Sequence, residues 1–369
     1  MRTRTKGIQV TDTGDRVIEK KYQRRRIFIR LGAVSQEEAE RRLRQEENRI
    51  DAESGKSTRR YFCDAAEKYL KDCEKRKVRS IDDIAWHITL VLPFIGTKPL
   101  EAVHSDSLES FCDSRIDEDK VSPTTVNRTL EVVKTILIKS ARVWRGEDGK
   151  AWLETAPPLI QMLATNPRQP YPITWDEQRK LFAELPSHIE RMALFAVNTG
   201  MRDENICGLR WEWERKVPEL GTSVFVIPAQ EFKSNRKHVA ILNDIAAKII
   251  ESCRGAHKEF VFTYRREVKD PKIEPPKPDR IETINNNGWQ KARKRAGLAQ
   301  VRVHDLRHTF GQRLRDAGVS NEDRAVLMGH ATINMSDHYA TPTIAKLIEM
   351  ANLVSGTRDT PTLSRVING

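Results

Sequence analysis

Apolar positions along this chain repeat with two different periods, and the change of period divides it. From Tyr61 to about Leu153 the repeat is helical. Phe62, Ala65, Ala66, Tyr69 and Leu70 share one face, as do Ile84, His87, Ile88, Val91 and Leu92. Val126, Leu130, Val133, Leu137 and Ile138 form a third stripe, and Ser105 and the Ser122-Pro123 pair read as helix starts. Ahead of this region the period shortens toward two. Ile8–Thr11, Arg16–Tyr22 and Arg25–Leu31 read as strands, with turns at Gly14-Asp15 and Gln23-Arg24. Ser35 caps a polar helix from Gln36 to about Ile50, with Glu38 completing a capping box. Ser54-Gly55-Lys56-Ser57 then reads as a linker.

A second break falls at Ala156–Pro172, which holds Pro157, Pro158, Pro167, Pro170 and Pro172 and suits an interdomain linker. Thr174 and Glu177 open the next helix as a capping pair. Ser223–Pro228 and Lys237–Leu242 read as two strands joined through Lys233-Ser234-Asn235. His304, Arg307 and His308 stand at i, i+3, i+4 and so share a helix face. Leu306, Phe310, Leu314 and Ala317 form the apolar stripe beside them, and Gly318 is the stop. This places the polar groups next to a core without burying them. Ser320 and Asp323 start another helix, which ends at Gly329 and delivers His330. Pro342 ends the segment carrying Tyr339. From Thr343 to about Val354, Ile344, Leu347, Ile348 and Ala351 line one face of a last helix. The Pro-rich insertion Asp270–Asp279 reads as an exposed loop.

Charge adds a partner class. The 369 residues carry a formal net charge of +12, and the sequence pI of about 9.5 is that of a polyanion binder. Residues 1–60 hold 17 Lys and Arg against 10 Asp and Glu, a net of +7. Residues 289–316 hold 8 against 2, a net of +6. The five cysteines are scattered without a CxxC pair, which argues against a zinc cluster or a disulfide framework and fits a reducing cytoplasm. No apolar run is long enough to span a bilayer and no signal peptide is evident, so a soluble, cytoplasmic protein without a membrane partner is expected.

The chemistry lies in one ordered set. Arg202 follows Thr199-Gly200-Met201, then come His304-Asp305-Leu306-Arg307-His308, Leu327-Met328-Gly329-His330 and Tyr339. Singly, such residues are usually surface or packing groups; jointly they make a phosphodiester site. Two guanidinium groups clamp the non-bridging oxygens through paired, charge-assisted hydrogen bonds, the role a divalent ion fills elsewhere. A tyrosine hydroxyl, with an ordinary pKa of about 10, is a weak nucleophile until nearby cations favour the phenolate. Its attack leaves a covalent protein–DNA phosphoester, which keeps the bond energy for a second strand to be joined without ATP. A metal-dependent hydrolase built on His304 and His308 is the alternative from another class, but no His-Glu-x-x-His motif accompanies them.

This pattern resembles the tyrosine recombinases, the phage-integrase family. The first family arginine matches Arg202, the His-x-x-Arg box matches His304 and Arg307, the Leu-x-Gly-His box matches His330, and the nucleophile matches Tyr339. The family also places a lysine on a hairpin as general acid toward the leaving 5′-oxygen. Lys233 matches best, with Arg236 and Lys237 close by. One departure stands at Asn205, where the family usually has glutamate; Glu204 is beside it.

The resemblance implies an α+β, mostly helical protein. An arm-type DNA-binding module of three strands and a helix would occupy residues 1–57 and a helical core-site-binding domain 58–155. A linker at 156–172, the catalytic domain at 173–356 and a tail at 357–369 would follow. It further implies a site-specific recombinase of a mobile element that acts on double-stranded attachment sites as a homotetramer, with accessory DNA-bending or directionality factors as further partners. By sequence alone the last helix could equally pack against its own catalytic domain; the resemblance favours docking onto a neighbouring subunit. No cofactor or metal is implied. A type IB topoisomerase, sharing the chemistry without exchanging partners, is the alternative.

Overall fold

The computed structural model describes residues 7–53, 59–232, 236–265, 276–330 and 342–356. The chain divides into two compact units, Met1–Pro167 and Arg168–Gly369.

The first unit begins with an antiparallel sheet in the order β1 (Ile8–Val10), β2 (Arg16–Tyr22) and β3 (Arg25–Gly32). Alternation sends Ile18 and Ile27 inward, where they pack with Leu43 and Ile50 of α1 (Gln36–Glu53). The β2–β3 turn is tight. Gln23 and Arg24 both take left-handed φ values, 46° and 66°, whose twist matches that of the paired strands. Register sets Lys21 against Arg26, Glu19 against Phe28 and Val17 against Arg30. The opposite, outward face therefore carries Val17, Glu19 and Lys21 beside Arg26, Phe28 and Arg30, with Glu19 paired to Arg26 at 2.5 Å. Phe28 is 48% exposed there, with the Arg26 and Arg30 guanidinium groups 5.4 and 5.8 Å from its ring centre.

The rest of this unit is helical: α2 (Phe62–Lys75), α3 (Ile81–Ile95), the short α4 (Glu109–Asp113) and α5 (Pro123–Arg142). Phe62, Ile88, Val91, Phe111, Leu130 and Ile136 form its core. Ser122 caps α5, its hydroxyl accepting from the Thr125 N–H. Ser105, expected to start an α-helix, heads only the short turn Asp106–Leu108. Its hydroxyl instead donates to the Leu159 carbonyl and accepts from the Gln161 N–H, both at 3.0 Å. The side chain thus fastens the segment that follows α5, a contact more than fifty residues away that local pattern cannot reveal.

The second unit opens with α6 (Trp175–Ala183), capped by Thr174 and Glu177 in the full reciprocal box. Then come α7 (Ser187–Thr199) and α8 (Asp203–Cys207). An antiparallel sheet follows in the order β4 (Glu214–Val217), β5 (Thr222–Ile227) and β6 (His238–Ala240). Next are α9 (Asp244–Ser252), the paired β7 (Thr263–Tyr264) and β8 (Asp279–Arg280), α10 (Asn287–Arg295), α11 (Val303–Asp316), α12 (Asn321–Met328) and α13 (Ile344–Asn352). Phe195, Phe225, Trp289 and Leu306 sit in the main core. The molecule is thus α+β and mostly helical.

The stripe of α13 was expected to meet a neighbouring subunit. It packs instead within its own unit: Leu347, Ala351 and Val354 are buried with Phe310, Leu314 and Leu327. Polar contacts lock the arrangement. Asn243 Nδ2 donates to the Ala351 carbonyl at 3.3 Å, and Asn352 and Asp244 exchange two hydrogen bonds of 2.9 and 3.1 Å. An apolar face close to its own unfinished core is buried there at no cost of association. No described helix is long and apolar enough to cross a membrane.

Candidate active site

Two chain turns converge on Arg307 of α11. The first follows α7, which ends at Gly200 in the left-handed region at φ 62°. A Cβ at this position would also come 2.4 Å from the Phe310 ring, so conformation and space both require glycine. Thr199 folds its hydroxyl back onto the Phe195 carbonyl at 2.8 Å, and the chain leaves toward Arg202 in extended geometry. The second turn ends α12 at Gly329, also at φ 62°, and places His330, whose N–H reaches the Ala325 carbonyl at 2.9 Å.

Arg307 is only 4% exposed. Its Nη1 donates to the Gly200 carbonyl and its Nη2 to the Met328 carbonyl, the latter at 2.6 Å. Both acceptors lie at helix C-termini, where carbonyls lack intrahelical partners and carry partial negative charge. One guanidinium thus binds the Arg202 turn to the His330 turn. Sequence periodicity set this arginine beside the core, but it lies within it. The reason is tertiary: its acceptors stand 107 and 21 residues away.

Arg202 is half-buried. Its guanidinium lies 5.4 Å from the Phe232 ring centre, and its Nη1 is buried with no acceptor among the described residues. No carboxylate pairs with Arg202 or Arg307 among those residues. Burial first, then the neighbouring Arg202, draws the Arg307 pKa down to about 10, which leaves it charged at neutral pH. Two adjacent positive charges are therefore held without a counterion among the described residues.

The residues after Arg202 brace other loops. Asp203 accepts from the Thr283 hydroxyl at 2.7 Å and the Ile284 N–H at 2.9 Å. Asn205, at the family's usual glutamate position, donates to the Glu231 carbonyl at 3.0 Å, just ahead of Phe232. Asp305 is fully buried and accepts from the backbone N–H groups of Arg302 and Tyr171 and from the Arg168 side chain. It both caps α11 and ties down the start of the unit.

Two histidines of α11 meet edge to face, His304 and His308, with ring centres 4.7 Å apart. Burial, reinforced by His308 and Arg307, lowers the His304 pKa. Burial and then both arginines lower that of His330. Each is thus favoured as a neutral ring able to donate one hydrogen bond. Among the described residues no three His, Cys, Asp or Glu side chains come together as metal ligands, so the hydrolase alternative finds no third donor there. Arg202, His304, Arg307 and His330 share one site. Lys233 and Tyr339 lie outside the described residues.

One residue in this neighbourhood was not anticipated. His238 of β6 is 7% exposed and stacks on Phe232, ring centres 4.6 Å apart. Burial, with Arg307 and Arg202, pushes its pKa down to about 4. The available signal was a polar residue at an inward position of a strand, between outward Lys237 and Val239.

Residues 173–345 match the phage integrase family. The integrase of Salmonella phage P22 is 30% identical over 218 residues, covering 57% of this chain and 52% of that protein. A tyrosine recombinase XerC-like protein of Caldanaerobacter subterraneus subsp. tengcongensis is 24% identical over 195 residues, covering 46% of this chain and 50% of the relative. This chain thus spans about half the length of these curated relatives. Among solved structures, a lambda integrase tetramer bound to a Holliday junction aligns with a TM-score of 0.53 at 15% identity, over 90% of this chain and 98% of the other. A lambda integrase dimer bound to a COC′ core site aligns at 0.51 and 16%, over 92% and 95%.

Proposed function

We propose, from the match of residues 173–345 to the phage integrase family, that this chain is a site-specific DNA recombinase that integrates or excises a mobile element. The observation that carries the reading is the arginine pair, which no carboxylate balances among the described residues. Charge drawn into a protein without a counterion is stabilised by an anion of matching geometry. A phosphodiester supplies one, and its negative charge rises as the phosphorus is attacked.

In this reading Arg202, Arg307 and His304 grip and polarise the scissile phosphate, and His330 adds a hydrogen bond. The Tyr339 oxygen attacks phosphorus and the bond to the 5′-oxygen breaks. Lys233 gives that oxygen a proton, leaving a 3′-phosphotyrosine and a free 5′-hydroxyl. Attack by a 5′-hydroxyl of another strand reverses the step. Positioning and fixed positive charge supply the catalysis, so no cofactor or metal is assigned.

We assign 1–57 to arm-site binding, 58–155 to core-site binding, 156–172 to the linker and 173–356 to catalysis. The outward Lys21, Arg26, Phe28 and Arg30 suit a DNA groove, since they combine phosphate-seeking charge with one apolar contact. Double-stranded attachment sites are the substrate and a homotetramer on synapsed DNA the working assembly, in keeping with the junction-bound tetramer of lambda integrase. Accessory bending or directionality factors complete the partner set.

The direct test is Tyr339→Phe on a nicked suicide duplex. The variant binds DNA like the parent and forms no covalent complex. A covalent band persisting in the variant places the nucleophile elsewhere.

A further inference from the structure

Phe232 and His238 stand at the two ends of a five-residue stretch that holds Lys233, Arg236 and Lys237 in sequence. Their rings stack with planes 28° apart and centres 4.6 Å apart. The Phe232 ring also lies beneath Arg202, 5.4 Å from its guanidinium carbon. At the other end the pair presses on Gly329. A Cβ there would come 2.7 Å from Phe232 Cζ and 2.8 Å from His238 Nδ1. One two-ring stack therefore touches Arg202 on one turn and the backbone that delivers His330 on another.

We propose that Phe232 and His238 are positioning residues, a clasp that holds Arg202 and the His330 turn at the separation the phosphate needs. The inference rests on the reading of this site as a phosphodiester grip.

Three observations support it. Arg202 is a long side chain whose Nη1 has no acceptor among the described residues, so the ring face is the contact seen to orient its head. The stack itself is anchored from behind, because Asn205 holds the Glu231 carbonyl at 3.0 Å one residue before Phe232. Finally, the imidazole is compatible with its neighbours only when neutral. Burial and the two arginines keep it so, and a charged ring here would add a third cation to the pair. The clasp also gives Asn205 a task suited to its amide: it donates to a carbonyl, which a carboxylate in the same place does not do.

The experiment uses the full chain and a nicked duplex that the wild type has selected from a randomised library by covalent capture. Single-turnover formation of the covalent complex is measured beside the Kd for the same duplex. His238→Ala and Phe232→Leu each remove one ring. Each is expected to slow covalent capture by about 10²-fold, the scale of a misplacement of about 1 Å, with Kd within about threefold of wild type. His238→Phe restores a flat neutral ring and is expected to recover at least tenfold of the loss. The clasp is overturned if Phe232→Leu or His238→Ala captures DNA at the wild-type rate. It is equally overturned if His238→Phe is as slow as His238→Ala, because the ring nitrogens then act directly. If His238→Ala does not fold, Phe232→Leu and His238→Phe decide the matter alone. A wild type that captures no duplex from the library defeats the recombinase reading itself, an outcome distinct from a capturing wild type whose clasp variants behave normally.

Discussion

Arginines do opposite work in the N-terminal sheet and in the second unit. Arg26 and Arg30 stand on either side of Phe28 at the solvent-exposed surface, Arg26 paired there with Glu19, where their charge costs the fold little. Arg307 and Arg202 are drawn into the protein, bound to backbone carbonyls and a ring face, without a carboxylate among the described residues. Surface charge of the first kind lends affinity to any nearby polyanion and is screened by salt. Buried charge of the second kind stores a demand for one anion at one place. A net charge of +12 hides this distinction, since both kinds count alike.

The sharpest test of the contrast is Arg202→Met. Removing a donor aimed at the transition state is expected to reduce covalent capture by about 10²–10³-fold. The same change relieves an uncompensated charge, so the free protein should melt no lower, with a gain of about 1 kcal/mol. Circular dichroism melting beside the cleavage assay reads both. A clear loss of stability means that the charge is already balanced within the protein.

A smaller effect follows from His238, whose folded pKa of about 4 lies below its ordinary 6.5. Between those values the unfolded chain binds the proton and the folded one does not. Stability from this group is therefore complete above pH 6.5 and falls as pH drops toward 4, by up to about 3 kcal/mol. Urea titrations from pH 7 to 4 should show this slope in the wild type and a flatter one in His238→Phe. Equal slopes remove His238 from the buried side of the comparison.

The smallest expected change belongs to the exposed side. Replacing Arg26 and Arg30 by Ala should weaken arm-site binding and lower the salt dependence of log K by about 2, roughly one unit for each lost phosphate contact. Filter binding across a salt series measures it. An unchanged slope means the outward face of the sheet does not meet phosphates.

Legibility followed the same divide. The strands of the sheet and the Gln23-Arg24 turn could be read because one face is buried and the other wet, which prints a period of two on the sequence. The caps Ser122, Thr174 and Ser320 were legible because a cap is a local hydrogen bond. β4 escaped notice because Glu-Arg-Lys-Val is an edge strand with no buried position, and its pairing depends on β5. The burial of Arg307 and the place of His238 escaped for a related reason. Their partners are helix ends and rings brought together by the fold, and helical periodicity does not report where a neighbouring carbonyl will point. The α13 stripe was visible, but which surface would cover it was not.

The two hydrogen bonds from Arg307 to the Gly200 and Met328 carbonyls also bear on the order in which the site is completed as the protein is made. Chains emerge from the ribosome N-terminus first. Arg202 and Lys233 exist long before Arg307, and Arg307 has only one of its two carbonyl anchors until residue 328 has been made. Of the six residues assigned to the reaction, the tyrosine comes last in the chain. On the proposed reading, a half-made molecule has its basic N-terminal face for DNA but neither a finished grip nor a nucleophile. On that reading, the capacity to cut is withheld until Tyr339, the last of the six in the chain, has been synthesised.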